Sequence, residues 1–204
     1  MDLKHYAKRY ISLSAGIKKD WKYTLIDKLL PTHAKVLDIG CASGLFYDNR
    51  KHKHIQYSGI DYNPTMVEYC TKERWLDVKQ CDLSNDKLPY DDNSFDFIYC
   101  SHVLEHLLSN EQISFFAEIQ RVLKKDWVFL LFTPTPYHRY FWDDPTHQRA
   151  STHGSLEHMA KDVWLEVIES KYSNVRFFPQ TIQTYLRLPP LRWFLWEVYL
   201  VAKK

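Results

Sequence analysis

Three acidic side chains and one nearly side-chain-free turn carry the first chemical signal in this chain. Val36-Leu37-Asp38-Ile39 is a short apolar run holding a carboxylate, and Gly40-Cys41-Ala42-Ser43-Gly44 follows it directly. Gly40, Ala42 and Gly44 add little volume beyond the backbone, so a ligand can lie against bare peptide. Gly59-Ile60-Asp61-Tyr62 ends a second such run. Asp61 follows the glycine turn at about 20 residues, the separation at which an acid meets ribose hydroxyls in nucleotide-binding α/β folds. Asp82 and Ser101-His102 close a third and a fourth run. Polar groups at four strand ends point to a ligand site at the carboxyl edge of a parallel sheet.

A second reactive stretch runs from Thr133 to Arg149 and is stiffened by Pro134, Pro136 and Pro145. It is rich in aromatic and ionisable residues, and loops of this length are usually functional. His102, Glu105 and His106 form a third group. If Ser101 caps a helix, their spacings of three and four place them on one face. Glutamate and histidine so placed can hold a divalent ion. His102 disfavours magnesium, which prefers oxygen ligands, whereas zinc would accept the set together with His147 or His153.

The elements that must position these residues alternate as a doubly wound sheet requires. Trp21 to Leu30 reads as a helix stopped by Pro31, and Val36 to Ile39 as a buried first strand. Asn63-Pro64 reads as a cap followed by proline at the first helical position, opening a helix to Trp75. Asp77 to Cys81 and Phe95 to Cys100 are strands three and four. Ser109-Asn110-Glu111-Gln112 resembles a capping box at the head of a helix running to about Leu123. Trp127 to Phe132 is strand five, entered by a turn at Lys124-Lys125-Asp126. Leu156, Met159, Ala160, Val163, Trp164 and Val167 keep helical spacing, which leaves Val175 to Phe178 and Glu197 to Ala202 as a final antiparallel pair.

In order and spacing these residues resemble the class I S-adenosylmethionine-dependent methyltransferases, over roughly residues 36 to 202. Asp38 to Gly44 matches the family's glycine-rich first motif, with Ala42 where glycine is more usual. Asp61 matches its ribose-binding acid, Asp82-Leu83 the pair beside the adenine, and Val103-Leu104-Glu105-His106-Leu107 the segment after strand four. The resemblance implies an α/β, Rossmann-like doubly wound seven-stranded sheet, mostly parallel with an antiparallel final strand. It implies S-adenosyl-L-methionine as cofactor, held by Asp38, Gly40, Cys41, Ala42, Gly44, Asp61, Tyr62, Asp82, Leu83 and Ser101. Asp144-Pro145-Thr146-His147-Gln148-Arg149 resembles a stretch in methyltransferases of glycan and cell-surface biosynthesis. On that resemblance His147 is a candidate base, Asp144 an acceptor contact and Arg149 a clamp; the three could instead staple their own loop. His106 lines the pocket in the same family and completes the catalytic candidates. Because metal-free members share the segment, no metal ligand is assigned. A dinucleotide-binding dehydrogenase is disfavoured, since the third spaced glycine is missing and Asp38 would repel a pyrophosphate.

Composition fits one domain over residues 1–204, with an N-terminal helical segment (1–30), an acceptor-side loop (133–153) and an apolar C-terminal insertion (180–196). The 27 basic and 25 acidic residues nearly balance, so no nucleic-acid partner is expected. No secretory signal is visible, and Cys41, Cys70, Cys81 and Cys100 lack metal or disulfide spacing, which suggests a cytoplasmic protein. The stretch 185–196 is too interrupted to span a membrane but could rest on one or line an acceptor pocket. The resulting expectation is methyl transfer to a small-molecule or glycan acceptor, at oxygen. Alternatives are a lipid- or quinone-like acceptor, or a non-catalytic cofactor-binding scaffold; the oligomeric state is open.

Overall fold

A computed structural model describes residues 21–138, 141–173 and 195–204. Its centre is a seven-stranded sheet in the order β3-β2-β1-β4-β5-β7-β6. The strands are β1 Lys35–Ile39, β2 Gln56–Asp61, β3 Val78–Gln80, β4 Phe95–Ser101, β5 Leu123–Pro134, β6 Glu166–Tyr172 and β7 Glu197–Lys203. The first five pair in parallel, while β7 runs antiparallel to both β5 and β6. Chain order reverses direction across the sheet between β1 and β4, and at such a switch point the loops diverge and leave a crevice.

The helices are α1 Trp21–Leu29, α2 Leu45–Arg50, α3 Pro64–Glu68, α4 Ser109–Val122 and α5 His153–Asp162. Asn63 caps α3 as its sequence indicates, its side chain accepting the Thr65 amide at 2.9 Å with Pro64 next in line. A π-turn, Tyr69–Glu73, continues that helix. One side of the sheet is filled by Phe115, Phe116 and Ile119 of α4 against Phe129. The other is covered by Ile26 and Leu30 against Val36 and Leu130.

Three expectations need correction. Glu111, not Ser109, forms the cap of α4: its carboxylate takes the Leu108 amide at 2.7 Å, and Ser109 is already helical. The helical spacing through Val167 overruns its helix. α5 stops at Asp162, Trp164 turns left-handed at φ 63°, and Glu166–Tyr172 becomes the edge strand. Its residues alternate in burial only weakly, which is why periodicity misassigned them. Finally, Lys124-Lys125-Asp126 is no tight turn. Phe95 pairs with Leu123 and Phe97 with Val128, so residues 124–127 bulge out of β5, with Asp126 at φ 68°. The expected strand Val175 to Phe178, the segments 1–20 and 180–194, and most of the stretch 185–196 lie outside the described residues.

Two local arrangements anchor the sheet's carboxyl edge. Gly40 sits at φ 70°, and a β-carbon there would meet Val103 Cγ2 at 2.3 Å. The second arrangement is a chain of charges. Lys22 of α1 meets the buried Glu197 of β7 at 2.5 Å, Glu197 meets His102 Nε2 at 3.0 Å, and His102 Nδ1 lies 3.3 Å from Glu105. Desolvation lowers the His102 pKa, but its contacts with Glu105 and Glu197 outweigh that and raise it to about 9.

Gly40→Ala is expected to cost about 2–4 kcal/mol, from left-handed backbone strain and overpacking together. Urea denaturation measures this, and a double-mutant cycle with Val103→Ala returns the packing share; an unchanged midpoint contradicts the clash. His102, protonated more readily folded than unfolded, stabilises the fold fully below its ordinary value of 6.5. That contribution fades as pH rises and is gone above about 9. Denaturation of wild type and His102→Gln should therefore converge across this window, and parallel pH profiles would contradict the assignment.

Candidate active site at the carboxyl edge of the sheet

A cavity of about 710 Å³ opens where β1, β2 and β4 end. Gly40 and Ala42 form its floor, with Ala42 held left-handed at φ 46°. Asp61 locks that floor in place. One carboxylate oxygen accepts the Ala42 amide and the other the Asn63 amide, both at 2.8 Å. Burial raises the Asp61 pKa against these two bonds. Asp82, on the next wall, is held low by its bonds from the Asn85 side chain and the Ser84 amide. Tyr62 stands exposed at the rim, and Leu83, Ile60 and Met66 supply apolar lining between the acids.

Asp38 and Cys41 are not on this cavity. They line a smaller one of about 400 Å³ behind the turn, which shares Gly40, Ala42, Ser101 and His102 with the first. Asp38 is buried beneath the Tyr57 hydroxyl at 2.9 Å, and burial, reinforced by Asp61, pushes its pKa up to about 7 despite that bond. Gly44 lines neither cavity. It begins α2 at φ 75°, where a β-carbon would meet Leu76 at 2.6 Å, so its role is in the turn's shape.

The far wall holds the other candidates. His106, Asp144 and His147 all line the main cavity, although 38 or more positions separate His106 from the loop residues in sequence. Thr146 brings them together. Its hydroxyl donates to Asp144 at 2.6 Å and lies 3.1 Å from His106 Nδ1. His147 donates Nδ1–H to the Phe141 carbonyl at 2.8 Å, since a carbonyl can only accept. In the neutral ring Nε2 then carries the lone pair, 3.8 Å from Asp144. Burial alone would raise the Asp144 pKa, but the Thr146 bonds and both histidines lower it overall, which keeps the carboxylate ionised.

Arg149 lies outside the lining of the main cavity. Its guanidinium bonds Ser109 at the head of α4, and the Gln148 and Arg149 amides both donate to the Glu105 carbonyl. Nor do His102, Glu105 and His106 share one helix face. His102 is left-handed at φ 57°, and Leu104–His106 is a single 3₁₀ turn. Gln112, buried in α4, holds that turn by donating to the Leu104 and Leu107 carbonyls at 2.9 and 3.3 Å. Sequence reasoning overlooked Gln112, Thr146, Glu197 and Lys22. Thr146 was visible beside Asp144 as an aspartate–threonine turn signal, whereas the partners of Gln112 and Glu197 depend on tertiary placement.

Comparison with known proteins places this geometry in a family context. Residues 37–131 match the model of a methyltransferase domain. A probable methyltransferase of Arabidopsis thaliana is 33% identical over 102 residues, covering 48% of this chain and 16% of that protein. A sterol 24-C-methyltransferase of Schizosaccharomyces pombe is 31% identical over 102 residues, covering 47% and 26%. The chain spans well under half the length of these curated relatives. The crystal structure of a TehB-like S-adenosylmethionine-dependent methyltransferase from Corynebacterium glutamicum superposes with a TM-score of 0.73 at 23% identity, covering 99% of this chain and 97% of that one. Residues 37–131 thus match a methyltransferase domain, and the described strands share the fold of that S-adenosylmethionine-dependent methyltransferase structure.

Proposed function

We propose that this protein transfers the methyl group of S-adenosylmethionine to a hydroxyl of a small-molecule or glycan-type acceptor. The observation that carries the reading is one continuous cavity that joins the Gly40–Asp61–Asp82 wall to the His106–Asp144–His147 wall. The residues fit the cofactor's chemistry. Gly40 and Ala42 offer bare backbone, Asp61 an acceptor for ribose hydroxyls, and Leu83 with Ile60 an apolar slot for adenine. Asp38, balanced near neutrality by burial, favours a ligand that brings positive charge to the turn. When bound, the cofactor supplies an electrophilic methyl on a sulfonium.

The chain's own part is alignment, exclusion of water and removal of a proton. Positioning alone accounts for much of the acceleration of a displacement reaction. His147, with Nδ1–H committed to Phe141, presents Nε2 to take the acceptor's hydroxyl proton. Ionised Asp144 then faces the imidazolium that forms. A lipid-like acceptor is the second reading, favoured by the sterol methyltransferase relative; the polar far wall supports the hydroxylated acceptor more strongly.

Transfer from methyl-labelled cofactor to a panel of sugars, glycolipids and sterols tests this directly. His147→Ala should lower turnover by about 10²–10⁴-fold, the usual share of a general base, with cofactor affinity nearly intact. Turnover that survives the substitution would make His147 a loop staple. Label passing only to sterols would favour the second reading. Cofactor binding without transfer to any acceptor would favour a non-catalytic scaffold.

A further inference from the structure

We infer that Glu105, His106 and His147 form a binding site for a divalent transition-metal ion, zinc in the first instance, at the far wall of the cavity. One ligand atom from each of the three lies within 4.8 Å of the other two. They come from separate places: a 3₁₀ turn after β4 supplies Glu105 and His106, and the long loop after β5 supplies His147.

Three features point to a ligand rather than to a structural cluster. Glu105 is fully buried, and its Oε1 has no hydrogen-bond partner among the described residues, while Oε2 accepts from Thr133 at 3.1 Å. The nearest cationic group, His102 Nδ1, lies 3.3 Å from Oε1 without hydrogen-bond geometry. The His102 ion pair offsets part of the cost of burying Oε1, and a bound cation would fill the lone pair that no hydrogen bond uses. Second, each imidazole has Nδ1 engaged by a backbone carbonyl, His106 with Thr146 at 3.2 Å and His147 with Phe141 at 2.8 Å. That engagement is how metal-ligating histidines are oriented, with the opposite nitrogen presented to the ion. Third, the two rings meet edge to face at a 4.9 Å centroid distance. Both rings therefore reach one small volume of the cavity's far wall.

Two imidazoles and one carboxylate suit zinc and its neighbours rather than magnesium or calcium. Three protein ligands leave coordination positions open toward the cavity, the pattern of a site that also takes substrate. On the acceptor reading above, on which this part of the inference rests, an acceptor hydroxyl occupies the open position. With an ion bound, His147 Nε2 would be a ligand in place of the base role given above, the ion would acidify the hydroxyl, and its proton would pass to the neighbouring Asp144 carboxylate. Asp144, at 3.8 Å from His147, stands beside the set. His102 is not a member, being directed to Glu197.

The test uses tag-free, chelator-treated protein titrated with zinc and, for its visible spectrum, with cobalt. The expected result is saturation at one ion per chain, with cobalt bands of a nitrogen–oxygen site and no thiolate charge transfer. Glu105→Gln and His147→Ala should each weaken binding at least tenfold, and His158→Ala on α5 should not change it. Unfolding midpoints and S-adenosylmethionine affinity verify that each variant is folded. Absence of saturable binding to the wild type, or equal affinity in all variants, overturns the site. Metal binding without methyl transfer would leave the site standing and defeat the acceptor reading. Transfer that depends on His147 in metal-free protein, with no ion bound, would do the reverse.

Discussion

Parallel pairing of a buried β1 with β2 on one side and β4 on the other is the constraint on which the rest depends. Val36, Leu37 and Ile39 are fully buried, so β1 can only lie at the centre of the sheet. Its register, with Ile39 opposite both Ile60 and Cys100, levels three strand ends. Turns then have to leave from adjacent points in little space. Gly40 tolerates the approach of Val103 because it lacks a β-carbon, and Asp61 can reach back to the Ala42 amide. The bare floor of the cavity is thus a consequence of strand packing.

Charge placement follows from the same edge. Asp38, Asp61, Asp82, Glu105 and Asp144 collect around two adjoining cavities, and each solves the problem of being acidic there differently. Asp61 and Asp82 are satisfied by backbone amides, Asp144 by Thr146 and Asp38 by a tyrosine hydroxyl. Glu105 is left with one oxygen unpartnered among the described residues. An acid-rich pocket favours cationic ligands, whether a sulfonium or a metal ion. The Lys22–Glu197–His102 chain, in turn, ties helix α1 and the antiparallel β7 to the end of β4, so elements remote in sequence brace the same wall.

Much of this was legible in the chain before its structure. Apolar runs holding Asp38 and ending in Asp61 gave away the two strands at the heart of the sheet, because buried parallel strands need mostly apolar residues. Asn63-Pro64 gave away a helix start because capping is a local interaction. What stayed hidden was non-local or ambiguous. Residues 163–172 mix helical spacing with a partly exposed edge, and only pairing with β7 makes them a strand. Asp38 matched a motif but sits one layer below the main cavity, a depth that spacing cannot express. The histidine group was read on the wrong scaffold: a left-handed His102 breaks the helix that spacing implied, while Glu105 and His106 meet His147, already a candidate member, from a loop some forty residues on.

The most direct measurement is isothermal calorimetry of the wild-type protein and Asp61→Ala with S-adenosylmethionine and with its demethylated product. The account requires one site per chain for both ligands in the wild type and, with the bond that holds the turn and the ribose acceptor both removed, a loss of at least tenfold in Asp61→Ala. No heat of binding in the wild type, or equal affinity in the two proteins, would contradict it.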